Sequence, residues 1–426
     1  MADTRGDTIV ALSSGRPPAA IAVIRTSGPE AIAAAESIAG PMDSPRHASL
    51  RSLRDPASGH LIDRALVLIF PGPRSATGEN LVEYQCHGST AVVDALLGAL
   101  TARPRFRLAE PGEFTRRALL NGRIDLTQAE GLAELLEAET EAQRKSALRR
   151  SEGALRRRIE TFREGVLALA AEAEVAIDYA DEEEGSASFD PASRLSAIMT
   201  DIEQLLAAPR VEKLRDGVRV VVAGPPNAGK SSLVNALAGQ QRAIVTPIAG
   251  TTRDLIEVPL SLDGIPVVLV DTAGLREPGD AVERIGVDLA TREAAEADIL
   301  LWLGEGGAKP DHPKLIQVAS KCDLGTSGSG LSVSAVTGEG LDRLKRRIAA
   351  EAGPIIPAAA HVALNGREAG LLSEVGAALR RAVALSDPVL AAEELRDART
   401  ALDRISGRAG IEELLDALFG RFCLGK

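Results

Sequence analysis

A chain of 426 residues exceeds one ordinary domain, so two or three are expected. Its 45% apolar and 26% charged composition is that of a globular protein, and no apolar run is long enough to span a bilayer. The formal net charge of −11 excludes a globally basic nucleic-acid binder while leaving room for a local basic patch.

Residues 1–118 read as mixed α and β. Ile21 to Ile24 is a short apolar run ending at Arg25, and Ala65 to Phe70 is another, closed by Pro71-Gly72-Pro73. Leu81 to Gln85 is strand-like, and Thr90 to Leu100 predicts a helix. From Leu126 the apolar period becomes helical. Thr127 with Glu130 three residues on predicts a capping box at the start of that segment. Ile159, Phe162, Val166 and Leu169 continue an apolar stripe, which the acidic run Asp181–Glu184 and Gly185 break. Asp190-Pro191 predicts a new helix with a cap and a proline at its first position.

Residues 218–350 alternate short β-branched runs with helical segments. Val218–Ala223, Val267–Asp271, Ile299–Leu303, Leu315–Ser320 and Leu331–Ser334 read as strands, and Asp263-Gly264 as a hairpin turn. Such alternation predicts a mostly parallel sheet covered on both faces. After about residue 366 the helical period returns, with Ile411, Leu414, Leu415 and Leu418 on one face. Helical segments thus flank the α/β region on both sides, as they would around an inserted domain; two unrelated helical tails are the alternative. No internal repeat is visible. Asp3, Arg5 and Asp7, with no apolar run behind them, predict no secretory leader.

The segment Gly224-Pro225-Pro226-Asn227-Ala228-Gly229-Lys230-Ser231 follows a predicted strand and fits the phosphate-loop pattern. Its glycines allow a tight turn whose N–H groups face a phosphate, and the helix behind it adds its positive end. Lys230 brings a cation to the β- and γ-phosphates, and Ser231 a hydroxyl for Mg²⁺. Ser232 follows in the same turn. Downstream, Thr246-Pro247-Ile248-Ala249-Gly250-Thr251-Thr252 lies in a Gly/Pro/Thr-rich loop. There Thr252 is placed to reach Mg²⁺ and the γ-phosphate. Asp271-Thr272-Ala273-Gly274 ends a strand, with Asp271 for the Mg²⁺ shell and Gly274 for close approach to the γ-phosphate. Guanine presents two N–H donors that one carboxylate can accept, a task that fits Asp323 in Ser320-Lys321-Cys322-Asp323. Lys321 can cover the base, and Ser334-Ala335 can offer a backbone N–H to its oxygen. GTPases usually carry Asn where this chain has Ser320. Serine reaches less far, which predicts weaker nucleotide binding with guanine choice retained.

Pro226 to Ser232, Ile248 to Asp254 and Asp271 to Arg276 together resemble the MnmE (TrmE) tRNA-modification GTPases. Gly112 to Ala118, Leu120 to Leu126, Ile177 to Glu183 and the terminal Phe422-Cys423-Leu424-Gly425-Lys426 are also similar to that family, so the resemblance spans nearly the whole chain. It implies a multidomain α/β fold: a mixed α+β folate-binding N-terminal domain that dimerises (1–118), a discontinuous α-helical domain (119–212 and 366–426) and an inserted Ras-like P-loop G domain (213–365). It also implies an enzyme with an FAD-dependent partner, MnmG, which forms a heterotetramer with the homodimer; the three widely separated cysteines, for their part, fit a reducing cytoplasm. Together they install an aminomethyl or carboxymethylaminomethyl group at C5 of the wobble uridine of certain tRNAs. A reduced folate, 5-formyl- or methylene-tetrahydrofolate, is implied as the one-carbon carrier.

Residue roles follow from the same resemblance. Ras-like enzymes orient water with a Gln where this chain has Leu275, which cannot do so; the resemblance gives that role to Glu283. It replaces an arginine finger by K⁺, held by Asn227 with oxygens of Thr246, Ile248 and Thr251. It places folate on Arg25, Glu83, Arg123 and Lys426, with Arg123 standing where relatives often have Lys. The three cysteines, Cys86, Cys322 and Cys423, are too far apart for a metal site or disulfide framework. Cys423 is either a buried structural thiol or, by resemblance, a participant near the folate and tRNA chemistry. Arg149-Arg150 and Arg156-Arg157-Arg158 are candidates for tRNA phosphates or for solvated helix faces. An Era-like switch in ribosome assembly and a folate-dependent aminomethyltransferase with an accessory GTPase are the rival readings.

Overall fold

The computed structural model describes the chain except residues 1–5, 43, 179–190, 240–255, 273–291, 305–308, 326–327, 359–361, 386, 410–417, 421, 423–424 and 426. It divides into two compact units, Met1–Ala133 with Ser406–Lys426, and Glu134–Ile405.

The first unit is built on a six-stranded sheet. Its strands are β1 (Thr8–Leu12), β2 (Ala19–Ser27), β3 (Ser49–Arg54), β4 (Leu61–Phe70), β5 (Leu81–Gly88) and β6 (Phe106–Leu108), in the order β3-β4-β5-β2-β1-β6. All neighbours are antiparallel except β1 and β6. Helices α1 (Ala31–Ala39) and α2 (Thr90–Thr101) contribute Ala35, Ile38, Leu96 and Leu100 to a core with Ile24, Leu53, Val67 and Tyr84. Side chains alternate across a strand, so the neighbours of Ile24 and Tyr84, Arg25 and Glu83, occupy the opposite face. They are direct cross-strand partners there.

Two helices follow, α3 (Glu113–Leu120) and α4 (Leu126–Glu137). Gly112 caps α3 at φ +69°, and a Cβ there would lie 2.8 Å from the carbonyl oxygen of Phe419, so only glycine fits. The cap expected at Thr127 lies two residues earlier. The Asp125 carboxylate accepts from the Gln128 amide (2.9 Å), and the Gln128 side chain accepts from the Asp125 amide (3.2 Å). Thr127 is inside the helix, with its hydroxyl donating to the same aspartate (2.8 Å). Asp125 satisfies the first-turn amides better because its carboxylate is charged and its own backbone precedes the first turn.

The second unit joins helices to an α/β sheet. Helices α5 (Glu141–Ser151), α6 (Ala154–Asp178), α7 (Pro191–Ala207) and the short α8 (Glu212–Arg215) precede the sheet. The stripe Leu155, Ile159, Phe162, Val166 and Leu169 of α6 packs with Leu195, Ile202 and Leu205 of α7. Leu372, Val375, Leu379 and Leu402, from beyond the sheet, complete that core. The sheet is β7 (Val218–Ala223), β8 (Ile256–Leu262), β9 (Ile265–Asp271), β10 (Ile299–Leu303), β11 (Leu315–Ser320) and β12 (Leu331–Val333), ordered β12-β11-β10-β7-β9-β8. Only the β8–β9 pair is antiparallel. Asp263 and Gly264 connect it with φ of 49° and 80°, the left-handed pair that a tight hairpin requires. Pro259 is tolerated because β8 is the edge strand. In β7, Val220 and Val222 enter one core and Val221 the other, as expected for a parallel sheet covered on both faces. Helix α9 (Lys230–Gly239) follows β7, α10 (Leu341–Ala352) follows β12, and α11 (Gly366–Ala384) and α12 (Pro388–Ser406) return to the helical core.

The points where the chain leaves and rejoins that helical core are clasped. The Val211 amide donates to the Leu364 carbonyl (3.1 Å), and the Gly366 amide to the Glu212 carboxylate (2.7 Å). Asn365 and Glu368 form a capping box at the start of α11. Arg150, 1% exposed, pairs with the fully buried Glu368 at 2.9 Å and donates to the Ala363 carbonyl at 2.8 Å. Arg150 therefore takes no part in a surface cluster for tRNA phosphates. Among the described residues no helix is long and apolar enough to cross a membrane.

Candidate functional site

The phosphate loop turns directly from β7 into α9. Gly224 has φ +145°, and a Cβ would approach the Leu303 carbonyl oxygen to 2.4 Å, so β10 packs where any side chain would stand. Asn227 and Gly229 are also left-handed, at 59° and 89°. These reversals curl the backbone so that successive amides line one concavity. Lys230 begins α9, is 6% exposed, and its ammonium donates to the Gly224 and Pro225 carbonyls at 3.0 Å each. The cation is thereby held across the mouth of the loop. Ser231 and Ser232 are exposed in the first turn of the helix.

Of the segments expected to complete the site, those among the described residues, at Asp271-Thr272 and Ser320-Lys321, meet this loop or the strand before it. Asp271, 2% exposed, ends β9, which pairs directly with β7. Thr272 is locked by its hydroxyl to the Val222 carbonyl (2.8 Å). From β11, the Ser320 hydroxyl donates to the Ala228 carbonyl at 2.6 Å, and Lys321 donates its ammonium to the Asn227 carbonyl at 2.8 Å. The Ser320 hydroxyl thus bridges β11 and the phosphate loop. Lys321 is left-handed (φ 62°), which turns the chain into the exposed 3₁₀ turn carrying Asp323. Ser334 is fully buried, and its amide is engaged by the Glu339 carbonyl (2.9 Å). Its hydroxyl accepts from the Val336 and Thr337 amides at 3.3 and 3.1 Å. Of this pair, Ala335 is therefore the residue positioned to offer an amide to a base.

A second candidate region lies in the other unit. A cavity of about 430 Å³ is lined by Arg25, Thr77, Leu81, Phe114, Thr115 and Arg123, among others. Arg25 donates from both Nε (3.0 Å) and Nη2 (2.7 Å) to one oxygen of Glu83. Arg123 donates to the Ser75 carbonyl at 3.2 Å. Phe114 and Thr115 reach this cavity because α3 is anchored at its base. Burial raises the Glu113 carboxyl, but two hydrogen bonds from Arg107 (2.8 and 2.6 Å), the Glu110 amide and the charge of Arg117 together hold it below the usual range. Arg117 in turn donates to Glu79 at 2.9 Å and to the Asp7 carbonyl at 3.0 Å.

Three of the four residues expected at a folate site, Arg25, Glu83 and Arg123, are thus brought together. Lys426 lies outside the described residues; Gly425 before it accepts from the Ser13 hydroxyl (2.8 Å). Thr246, Pro247, Ile248, Ala249, Gly250, Thr251, Thr252, Ala273, Gly274, Glu283 and Cys423 also lie outside them. Sequence reasoning missed Phe114 and Thr115 as lining residues, although both sit in a motif that drew attention. It missed Ser75 and Thr77 as well, for which the sequence held no signal.

A family model described as the GTP-binding protein TrmE N-terminus matches residues 8–123, and one described as the MnmE helical domain matches residues 126–423. The chain is 51% identical over 425 residues to the tRNA modification GTPase MnmE of Erythrobacter litoralis (strain HTCC2594), covering 99% of this chain and 100% of that protein. It is 51% identical over 428 residues to the protein of the same description from Rhizorhabdus wittichii, covering 99% and 97%. The corresponding protein of Novosphingobium aromaticivorans is 48% identical over 436 residues, covering 99% and 100%.

Proposed function

The chain belongs to the MnmE (TrmE) family of tRNA modification GTPases, and from that premise we propose the particular reaction and the residues that carry it. It hydrolyses GTP. With an FAD-dependent partner of the MnmG kind, it forms the aminomethyl or carboxymethylaminomethyl group at C5 of wobble uridine in certain tRNAs. The observation that supports the nucleotide half best is the pair of ties from Ser320 and Lys321 to the phosphate loop, which makes the base-reading turn and the phosphate cradle one rigid site.

Within it, the loop amides and Lys230 hold the β- and γ-phosphates, and Asp323 accepts from the guanine N–H groups. Ser231 and Thr252 hold Mg²⁺, with Asp271 behind them. Asn227, Thr246, Ile248 and Thr251 offer only oxygen ligands, which suits the hard monovalent cation K⁺. Bound there, K⁺ would offset charge developing on the phosphates when two G domains meet. Asn227 fits this role because it is exposed at the rim while its carbonyl is steadied by Lys321. Glu283 orients the attacking water in place of the missing glutamine. In the other unit, Arg25, Glu83, Arg123 and Lys426 bind 5-formyl- or methylene-tetrahydrofolate, and Cys423 acts near that chemistry.

The domain division follows the same reading: an N-terminal folate-binding domain at 1–118 that forms the homodimer, a helical domain at 119–212 and 366–426, and a G domain at 213–365. The assembly with MnmG is a cytoplasmic heterotetramer. A ribosome-assembly switch is not favoured, because the relatives matched over the full length are tRNA modification GTPases. Turnover of GTP measured in K⁺ and in Na⁺ tests the mechanism: stimulation by K⁺ alone is expected, and equal rates would sink it. Glu283→Ala is expected to slow hydrolysis with GTP affinity nearly intact. Loss of binding instead would remove Glu283 from the catalytic step.

A further inference from the structure

Beside the 430 Å³ cavity lies a second one of about 350 Å³. The two share Ser75, Ala76, Leu81 and Arg123 as walls, so they adjoin. Their chemistry differs. The first is lined largely by apolar groups, including Leu81, Phe114, Ala118, Ile124 and Leu132. The second carries Arg46, Arg74 and Arg123. Its one acidic lining residue, Glu83, is already paired with Arg25 at 2.7 Å. Among the described residues none of the three arginines has a carboxylate partner, so this end carries net positive charge.

Arg46 is also positioned for a ligand. Its guanidinium lies 5.5 Å from the centre of the Phe70 ring and donates to the Arg74 carbonyl. Its backbone is left-handed (φ 62°) and is fixed by a bond from its amide to the Ile69 carbonyl (2.9 Å). Arginine forks match carboxylates in shape as well as charge.

We infer that the second cavity is a polycarboxylate subsite, in which Arg46 and Arg74 hold the γ-linked glutamates beyond the first on a folate whose ring system and first glutamate occupy the first cavity. This rests on the folate reading above and adds to it a preference among folates: those extended by further γ-linked glutamates bind more tightly than the monoglutamate. An RNA phosphate would also suit arginines. The small volume and the shared walls favour the tail of a ligand already seated next door.

The test is equilibrium dialysis of the full chain with 5-formyl-tetrahydrofolate as monoglutamate and as triglutamate, in the unsubstituted protein and in the double variant Arg46→Asn/Arg74→Gln. Asparagine is chosen because it tolerates the left-handed backbone. The unsubstituted protein should bind the triglutamate about tenfold more tightly, the size expected of two partly screened arginine–carboxylate contacts. The advantage should shrink with added salt. The double variant should lose it while keeping its monoglutamate affinity. Equal affinities in the unsubstituted protein would overturn the subsite and leave the folate reading standing. Equal weakening of both ligands in the variant would place the arginines on the ring system and overturn it too. A variant that loses tRNA binding but keeps the triglutamate advantage would reassign the arginines to RNA. Failure of both folates to bind the unsubstituted protein would overturn the folate reading and this inference with it.

Discussion

Arg150→Met should be among the most destabilising single changes in the helical core. Arg150 is 1% exposed and its partner Glu368 is fully buried. Its guanidinium makes bonds of 3.0 and 2.9 Å to the two Glu368 oxygens and one of 2.8 Å to the Ala363 carbonyl, and its Nε pairs with Glu134 at 3.1 Å. Without it, the Glu368 carboxylate keeps the Asn365 amide (2.9 Å) but has lost its buried counter-charge. Removing one member of a buried ion pair costs about 3–5 kcal/mol, mostly as the desolvation of the charge left behind. The double change Arg150→Met/Glu368→Gln removes that charge while glutamine preserves the capping box. It should therefore recover more than half of the loss. Urea unfolding gives the measurement, with far-UV circular dichroism for the helices and fluorescence of Trp302, the single tryptophan, for the sheet. Two probes are needed because a chain of several domains need not unfold in one step. A single variant within about 1 kcal/mol of the parent, or a double variant less stable than the single, would refute the reasoning.

Other consequences are equally direct. Ser320→Ala should weaken GTP binding about fivefold in a fluorescent-nucleotide titration, the effect of one hydrogen bond of about 1 kcal/mol, and an unchanged affinity would show the tie to Ala228 to be idle. Gly224→Ala should abolish GTP binding, since its Cβ would stand 2.4 Å from a backbone oxygen; normal binding would contradict the close approach of β10. Glu134 gives a pH signature. Burial, with the Glu368 and Glu212 carboxylates, pushes it up to about 7 against the pull of Arg150. An acid whose folded value is raised contributes stability that is fullest below about 4.5 and is lost as pH rises through about 7. The side chain keeps a quarter of its exposure, so the loss is at most about 3 kcal/mol. Glu134→Gln should flatten that slope in unfolding measured from pH 5 to 8, and an unaltered slope would assign it to another group.

The nucleotide site was legible because its chemistry is local. The strand Val218–Ala223, the loop after it and the Asp263-Gly264 hairpin each depend on a few consecutive residues. The cap at the start of α4 was misplaced because Asp125 and Thr127 both precede glutamine or glutamate by three residues, and only the backbone shows which lies outside the first turn. Arg150 read as a surface charge because Glu368, its partner, lies 218 positions away. The reach of Ser320 likewise depended on how near β11 brings the loop, a distance that no residue type encodes. The arginines of the second cavity come from separate loops and look, in sequence, like any solvated charge.

Mass spectrometry of wobble nucleosides is the most direct test of the function. Transfer RNA from a host lacking its own MnmE-type gene should lack the aminomethyl or carboxymethylaminomethyl group at C5 of wobble uridine. Expression of this chain should restore it, and expression of the Gly224→Ala variant should not. Full modification without the chain, or restoration by the variant, would contradict the account.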